Sequence, residues 1–367
     1  MGVETTDEHN GYLHSVGRTL TIVILGSLCG LCSVQRIHQW ASTPRIREFL
    51  KEHFGIYTIS TYCWMLKLLK IIKPESLNQR FTSWATTLLP EVIKDLTISF
   101  DGKSIRSTGK MSEYEKPLHI LSAYLAEAGL TIGQKTVSKK SNEIPAMREL
   151  LELIDIQGCM IVADALHCQT KTAQAILNNG GDYLLNVKDN QETLKKDIED
   201  FVQDSKLRAE MEETSSCEKN GGRIELRQAF VSHQINCMEE HLEKWAGLEC
   251  FGAINRQFIN SDGKSSDEWH YYISSRQLTP EELLKYARNE WTIESMHWML
   301  DVHFNEDFCR VRDSNVQQNL NMIRKAALNC IRIYKNESKS KVPFSGLMFG
   351  CLLDCDDILK ILDSKSL

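Results

Sequence analysis

The sequence predicts an α/β protein with three kinds of region: an all-helical N-terminal domain, a core in which strands and helices alternate, and a β-rich insertion. Apolar residues recur at three- and four-residue spacing from Tyr12 to about Leu89, which is typical of helices. Short apolar, β-rich runs alternate with helical patterns from 96 to 187. From about Arg223 to Ser275, strand-like runs follow one another instead.

The N-terminal region is predicted to form four or five short helices, because three prolines interrupt its helical pattern. The segment 61–72 is amphipathic and carries Lys67 and Lys70 three residues apart. It has the character of the second helix of a helix-turn-helix. A plain packing helix is the alternative, and the pattern alone does not separate the two.

The core is predicted to begin with three strands, followed by a helix, a strand, a helix and a strand. The strands are expected at 96–101, 119–125, 131–137, 159–163 and 183–187, and the helices at 145–153 and 171–178. This is the order of elements in an RNase H-like core.

The insertion and the C-terminal helices follow. We expect a charged helix over 192–212, then strands at 223–230, 248–258 and 269–274. A helix is expected to start at Thr279, where Pro280 and two glutamates are typical of a first turn, and to continue past Glu294. A last amphipathic helix is expected over 315–334.

Composition is that of a soluble globular protein: 367 residues, 42% hydrophobic and 25% charged. The net charge of −6 does not by itself indicate a nucleic-acid-binding protein. Residues 11–95, however, carry ten basic and five acidic residues. This locally basic helical region is a candidate for binding backbone phosphates, and a solvated helical domain of mild charge is the alternative.

The twelve cysteines are interpreted as reduced thiols of a cytoplasmic protein, because no signal peptide precedes them and a chain of this length needs no disulfides. Cys29 and Cys32 have the spacing of a zinc-binding pair, but no second pair of ligands lies nearby, so no zinc site is expected. The apolar run 20–34 is too short to span a bilayer, and no membrane association is expected.

Three acidic residues stand in distinctive surroundings. Asp101 and Asp164 each end a short apolar strand, and Glu294 lies on a helical pattern. Taken singly, they are ordinary as a turn residue, a helix cap and a surface residue. The strand order, however, predicts that the two aspartates are neighbours.

Such a set of carboxylates suits divalent metal chemistry on a phosphodiester. Two metal ions roughly 3.5–4 Å apart serve the attacking and leaving oxygens of an in-line displacement. Magnesium prefers oxygen ligands and keeps several waters. We therefore predict that Asp101, Asp164 and Glu294 are the catalytic and metal-binding residues, with Mg²⁺ as cofactor and Mn²⁺ as its substitute. Asp101 is expected to bridge both ions.

The helix around Glu294 offers rival carboxylates at Asp301, Glu306 and Asp307, and Glu294 ranks first among them. Trp291 and Trp298 suit either base stacking or core packing. The predicted DNA-binding residues are Lys103, Arg106, Lys139, Lys140, Lys188, Arg288, His297 and Trp298. As isolated residues, the lysines and arginines would be ordinary surface charge.

Six sequence blocks carry a family resemblance. They are Asp-Gly-Lys-Ser-Ile-Arg (101–106), Gly-Gln-Lys-Thr-Val-Ser-Lys-Lys-Ser-Asn-Glu-Ile (133–144), Ala-Asp-Ala-Leu-His-Cys-Gln (163–169), Gly-Gly-Asp-Tyr-Leu-Leu-Asn-Val-Lys-Asp-Asn-Gln (180–191), Trp-Thr-Ile-Glu-Ser-Met-His-Trp-Met-Leu-Asp-Val-His-Phe-Asn-Glu-Asp (291–307) and Asn-Leu-Asn-Met-Ile-Arg-Lys-Ala-Ala-Leu-Asn (319–329). In these blocks and their order, the chain resembles bacterial insertion-sequence transposases of the DDE type, in the branch of the H-repeat-associated proteins.

The resemblance implies an RNase H-like catalytic core, a β-rich insertion before the last acidic residue, and magnesium-dependent DNA strand cleavage and transfer. It implies the same triad and a helical N-terminal region that recognises transposon ends. The expected partners are double-stranded DNA, as terminal repeats and target, and a second copy of the chain in the DNA complex. The expected domains are a helical DNA-binding domain (1–95), the first part of the core (96–200), the insertion (201–278), the C-terminal core helices (279–335) and a tail (336–367).

Two other functions stay open from the sequence. Glu290 and Asp301 stand where related transposases carry basic residues, which suggests a catalytically inactive, transposase-derived DNA-binding protein as the alternative. A standalone RNase H-like nuclease is the third, and the β-rich insertion argues against it.

Overall fold

The computed structural model describes residues 15–89, 95–109, 117–137, 142–220, 223–259 and 265–364. The described residues form a mixed α/β fold, and the chain divides into two compact units. The first unit contains Met1–Val92, Gly102–Lys140 and Glu294–Leu367, and the second contains Ile93–Asp101 and Ser141–Ile293.

The strands in the described residues are β1 (Thr97–Ile105), β2 (Leu118–Leu125), β3 (Leu130–Val137), β4 (Met160–Ala163), β5 (Asp182–Val187), β6 (Glu212–Asn220), β7 (Arg223–Ser232), β8 (Cys250–Ile259) and β9 (Ser265–Ser274). The helices are α1 (Val16–Leu28), α2 (Val34–Ala41), α3 (Pro44–Phe54), α4 (Tyr62–Ile71), α5 (Pro74–Thr86), α6 (Glu143–Leu151), α7 (Thr170–Asn178), α8 (Glu192–Gln203), α9 (Ser205–Arg208), α10 (Glu239–Leu242), α11 (Pro280–Glu290), α12 (Thr292–Phe304), α13 (Ser314–Ser338), α14 (Phe344–Leu353) and α15 (Cys355–Leu362).

The second unit is built on a mixed sheet in the order β1-β4-β5-β9-β8-β7-β6. β4 pairs in parallel with β1 and with β5, and all four of its residues are buried apolar side chains, as parallel strands covered on both faces require. The chain returns from β4 to β5 through α7, since parallel neighbours need a crossover. β9 pairs antiparallel with β5 and continues the sheet into the insertion.

Helix α11 covers this sheet with an apolar face. Its Leu283, Tyr286 and Ala287 belong to one buried cluster with side chains of β4, β5, β7, β8 and β9. The helix begins with a capping box, in which Thr279 and Glu282 each accept a hydrogen bond from the other's backbone N–H. The predicted helix start at this position is confirmed.

The first unit is organised around α13, which contacts α1, α4, α5, α15 and β3. Several of its buried residues are polar, and each has a structural partner. The Asn319 amide, for example, donates to the carbonyls of Leu69 and Ile72 at 2.8 and 3.0 Å. These two carbonyls lie at the C-terminal end of α4, where the helix has no internal donor for them.

Asn329, also on α13, binds β3, the outer strand of the antiparallel hairpin formed by β2 and β3. Among the strands that the structure describes, β3 lies at the edge of the order β3-β2-β1. The Asn329 amide accepts from the Thr131 N–H at 3.0 Å and donates to the Thr131 carbonyl at 2.8 Å. The side chain thus takes the place of a neighbouring strand at that residue.

Most predicted elements are confirmed within a few residues, and four differ. β1 continues four residues past Asp101, because the order β3-β2-β1 gives it a partner there. The expected charged helix 192–212 is divided into two helices, α8 and α9, and Asp204 caps the second. Strand β6 then begins at Glu212. The expected continuous helix through Glu294 breaks at Trp291 into α11 and α12. The expected tail forms α14 and α15.

The N-terminal prediction of four or five helices matches α1 to α5. All twelve cysteines are free. None of the helices that the structure describes is long and apolar enough to cross a membrane.

Candidate active site

Asp101 and Asp164 come together in the second unit through strand register. In the parallel pair of β1 and β4, Phe100 lies opposite Ala163. The next residue on each strand is one of the two aspartates, and neighbouring strands are about 4.8 Å apart. The predicted adjacency of their strands is confirmed.

Asp164 also caps the turn that follows it. Its Oδ1 accepts a hydrogen bond from the Leu166 N–H at 3.1 Å, at the start of the short 3-10 helix Ala165–His167. The capping role considered from the sequence is therefore present. Because the side chain is exposed and the cap uses one oxygen, capping leaves the second oxygen for a ligand.

The turn after Asp164 is held by buried polar contacts within the second unit. His167 is 1% exposed, and its Nε2 lies 3.8 Å from Glu143 Oε2. Burial lowers the pKa of His167, against the opposing effects of Asp164 and Glu143. The amides of Asn190 and Gln191 donate to carbonyls of the same turn at 2.6 and 2.9 Å. These hydrogen bonds hold the turn, and the turn thereby fixes the position of Asp164.

Glu294, in the first unit, lies in the first turn of α12 with its side chain exposed. Among the residues that the structure describes, its carboxylate has no hydrogen-bond or ion-pair partner. Its carboxylate carries no structural contact that would compete with a ligand.

The rival carboxylates of the same segment are all paired. The Lys103 ammonium, whose side chain is 14% exposed, lies 2.5 Å from Asp301 Oδ1 and 3.3 Å from Glu306 Oε2. It also donates to the His297 carbonyl at 3.2 Å. Burial raises the pKa of Asp301, and Lys103 opposes that rise. Asp307 accepts from the backbone N–H of Arg106 at 3.1 Å and lies 3.5 Å from its Nε.

A second buried lysine completes this charged cluster, and sequence reasoning missed it. The Lys325 ammonium, fully buried on α13, donates to Ser122 Oγ at 2.7 Å and Gln134 Oε1 at 2.8 Å. Burial lowers the pKa of Lys325 to about 7, with Glu306 opposing the shift. Burial, together with Lys325 and Lys103, lowers the pKa of His297 to about 3, so this imidazole is neutral. A lysine within the amphipathic pattern 315–334 was the only available signal.

The predicted DNA-binding residues have varied surroundings. Lys103 is the half-buried partner of Asp301, while Lys188 is exposed. Arg288 pairs with Glu218. Trp298 is 59% exposed and meets the His303 ring edge-on. Arg106 is largely exposed, the imidazole of His297 is neutral, and Lys139 and Lys140 lie outside the described residues. A role for any of them in DNA contact stays a prediction.

The donor set suits a hard divalent cation. Magnesium needs few protein oxygens, because water and substrate phosphates complete its shell. In the second unit, Asp101 and Asp164 directly follow Phe100 and Ala163, which are paired across β1 and β4. Within the described residues, no group of three or more His, Cys, Asp or Glu side chains is placed to hold a metal ion. The pair therefore fits a magnesium ion that takes its remaining ligands from water and substrate.

Known proteins are similar to this sequence across most of its length. The family model of the transposase DDE domain matches residues 93–330. The putative protein YbfL of Escherichia coli K12 is 31% identical over 360 residues, which are 96% of this chain and 94% of that protein. The H repeat-associated putative transposase YhhI of the same strain is 30% identical over the same shares of both chains.

One solved structure is also similar, at 10% identity. It is the piggyBac transposase synaptic complex with hairpin DNA, with a TM-score of 0.43, over 98% of this chain and 77% of that chain. A likeness this slight supports no conclusion. The sequence matches do: the chain belongs to the DDE transposase family, in the branch of the bacterial H-repeat-associated proteins.

Proposed function

We propose that this protein is an active transposase, which cleaves DNA at the ends of an insertion element and transfers the strands to a target. Asp101, Asp164 and Glu294 are its catalytic carboxylates, carried by an RNase H-like core. The observation that supports this most directly is the register of β1 and β4, since it makes Asp101 and Asp164 neighbours in a chain of the DDE family.

The contacts of the other acidic residues support the choice of Glu294. Asp301, Glu306 and Asp307 each have a basic partner within the first unit, whereas Glu294 has none among the described residues. A carboxylate that already neutralises a half-buried lysine is a poor metal ligand, because binding a cation would leave that lysine without its counter-ion.

Asp101 and Asp164 would hold Mg²⁺, with Mn²⁺ as a substitute, and Glu294 is our proposed third metal-binding residue. When bound, the metal ions stabilise the charge that develops on the attacking and leaving oxygens of the phosphodiester. Asp101 and Asp164 would hold the cations, and the turn after Asp164 keeps that carboxylate in place. The DNA partners are the terminal repeats and the target, and we propose that two copies of the chain act together on the two ends.

A cleavage assay tests the proposal. Purified protein is incubated with DNA carrying the terminal repeats of its element, in Mg²⁺, Mn²⁺ or EDTA. We expect nicking only with a divalent cation, and none with Asp101→Asn. Asp189→Asn is the matched control, because Asp189 is an exposed aspartate that follows parallel strand β5 and pairs with Lys195 at 2.8 Å. Nicking that survives Asp101→Asn would contradict the proposal.

The second candidate function is that of an inactive DNA-binding protein. Asp301 favours it, because this residue stands where related transposases carry lysine and is paired here with Lys103. Specific binding of the terminal repeats, without nicking in Mg²⁺ or Mn²⁺, would support this function over the first.

A further inference from the structure

A groove in the first unit has a volume of about 840 Å³. It is lined by the start of α2, by α4, by the segment 305–313 and by the first turns of α13. Six cationic side chains line it, and we name it the basic groove after them: Arg36, Lys67, Lys70, Arg310, Arg312 and Arg324. None of these residues belongs to the predicted metal site.

Of the six cations of the basic groove, Lys70 alone has a carboxylate partner within the described residues. The groove lining includes one carboxylate, Asp313, which lies 3.2 Å from Lys70 and also caps α13 through the Val316 N–H. Across the residues that the structure describes, Arg36, Arg310 and Arg312 have no ion pair. A ligand that neutralises this lining must be an anion with several charges.

Arg324 gives the strongest indication of such a ligand. Its side chain is only 4% exposed, yet its described polar contact is a single hydrogen bond of 3.3 Å to the Cys32 carbonyl. No carboxylate within the described ranges pairs with it. A guanidinium has five N–H donors, and burying one without a counter-ion is unfavourable. An anion in the groove would supply that counter-ion.

A second pocket, in the second unit, shows the contrasting case. It is also lined by three arginines, Arg227, Arg256 and Arg288. Each of them pairs with Glu225 or Glu218. The arginines of this second pocket are therefore neutralised by carboxylates, whereas Arg36, Arg310, Arg312 and Arg324 of the basic groove have no carboxylate partner within the described residues.

Aromatic side chains indicate which anion the groove takes. Phe308 is 74% exposed and Tyr62 is 37% exposed, and both line the groove. Aromatic rings stack on unpaired bases, whereas the bases of a duplex are already stacked on each other. Cations for phosphates beside free aromatic rings are the features of a single-strand binding site.

We infer that the basic groove binds a single DNA strand, with its phosphates on the arginines and an unpaired base on Phe308. The inference rests on the proposed function in one respect, that the substrate is DNA. It adds a binding site outside the metal site, specific for a strand that has separated from its complement.

Binding of a labelled 12-nucleotide single strand, followed by fluorescence anisotropy in EDTA, tests the inference. Phe308→Ala should weaken binding about tenfold, the loss of one stacked base. Arg310→Gln combined with Arg312→Gln should reduce the slope of log K against log salt by about 1.4, because each strand phosphate contributes about 0.7. Arg45→Gln is the control, since this exposed arginine pairs with Asp354.

Duplex DNA, free nucleotide and inorganic phosphate are measured alongside. The inference would be overturned if Phe308→Ala weakened the binding of duplex and single-stranded DNA equally. It would also be overturned if Phe308→Ala, the Arg310→Gln and Arg312→Gln double variant and Arg324→Gln all bound the single strand normally. Arg324→Gln should also weaken binding, and the exposed variants keep the test valid if this buried change unfolds the protein. Groove variants that bind normally while Asp101→Asn abolishes nicking would refute the groove and leave the proposed function intact. If the groove variants lose single-strand binding and the unaltered protein never nicks DNA, the groove would be supported and only the proposed catalysis would be refuted.

Discussion

The acidic residues of this protein form two groups that differ in their partners. Asp301, Glu306 and Asp307 lie close together in sequence, and each has a basic partner in the first unit. Asp164 and Glu294 are exposed, and neither has an ion pair within the described ranges. Folding uses the first group as counter-ions, whereas the second group has no basic partner that would compete with a ligand. Pairing, rather than sequence position, thus separates the rival carboxylates of this segment from Asp164 and Glu294.

The largest effect is expected from neutralising a paired carboxylate. Glu306 is 1% exposed, lies 3.3 Å from the Lys103 ammonium and accepts from the Asn321 amide at 2.7 Å. Glu306→Gln should lower the free energy of unfolding by about 3 kcal/mol, because it removes a buried negative charge that offsets the charges of Lys103 and Lys325. Chemical denaturation measures this, with Glu294→Gln as the matched exposed change. Equal denaturation midpoints for the two variants would abolish the distinction.

The next largest effect is expected from removing the Asp164 carboxylate while keeping the hydrogen bond that caps the following turn. Asp164→Ser retains an oxygen that accepts from the Leu166 N–H, so stability should hardly change. DNA cleavage should fall more than about a hundredfold, or about 2.7 kcal/mol in activation free energy, since even the outer partners of metal ligands contribute up to that much. Asp204→Ser is the control, because Asp204 also caps a helix of the second unit. Retained cleavage in Asp164→Ser would remove Asp164 from the site.

A pH dependence should follow from Lys325. Because burial lowers its pKa from 10.5 to about 7, the folded protein binds one proton fewer than the unfolded chain between these values. The penalty for burying the ammonium is fully present below pH 7 and is relieved as the pH rises. The free energy of unfolding, relative to Lys325→Met, should therefore rise by about 1.4 kcal/mol per pH unit above pH 7. Parallel curves for the two proteins from pH 7 to pH 9 would contradict this.

The smallest effect is expected where the basic partner is exposed. The Arg106 side chain is 82% exposed, and its Nε lies 3.5 Å from Asp307. Solvent screens such a pair, so Asp307→Asn should cost under about 1 kcal/mol of unfolding free energy. Thermal and chemical denaturation measure it against the buried Glu306→Gln. A loss as large as that of Glu306→Gln would show that exposure does not rank these pairs.

Much of the second unit could be predicted from its sequence, because its central strands are apolar runs between clear turns. The register that brings Asp101 and Asp164 together follows from two such strands being neighbours. β6 could not be predicted, because Glu212–Asn220 is rich in polar residues and pairs as a strand with the distant residues of β7. Local propensity and hydrophobic pattern gave no sign of that pairing.

The charged residues of the first unit were the hardest to predict. Lys103 and Asp301 are nearly two hundred positions apart, so no spacing rule relates them. Their pairing leaves Lys103 as an internal counter-ion, whereas its sequence neighbourhood suggested a DNA contact. Arg324 and Lys325 are consecutive cations on an amphipathic helix, which usually indicates a solvated face. Both are buried here, and the fold shows that Arg324 has no counter-ion among the described residues.

The contact between Asn329 and Thr131 has a consequence for shortened versions of this chain. A product that stops before Ser314 would keep the whole β2–β3 hairpin but lose the helix whose amide satisfies its outer strand. The exposed N–H and C=O groups would then be open to hydrogen bonding with the same strand of another molecule. Premature termination in this gene should thus yield an aggregating polypeptide, rather than a soluble fragment that competes for DNA.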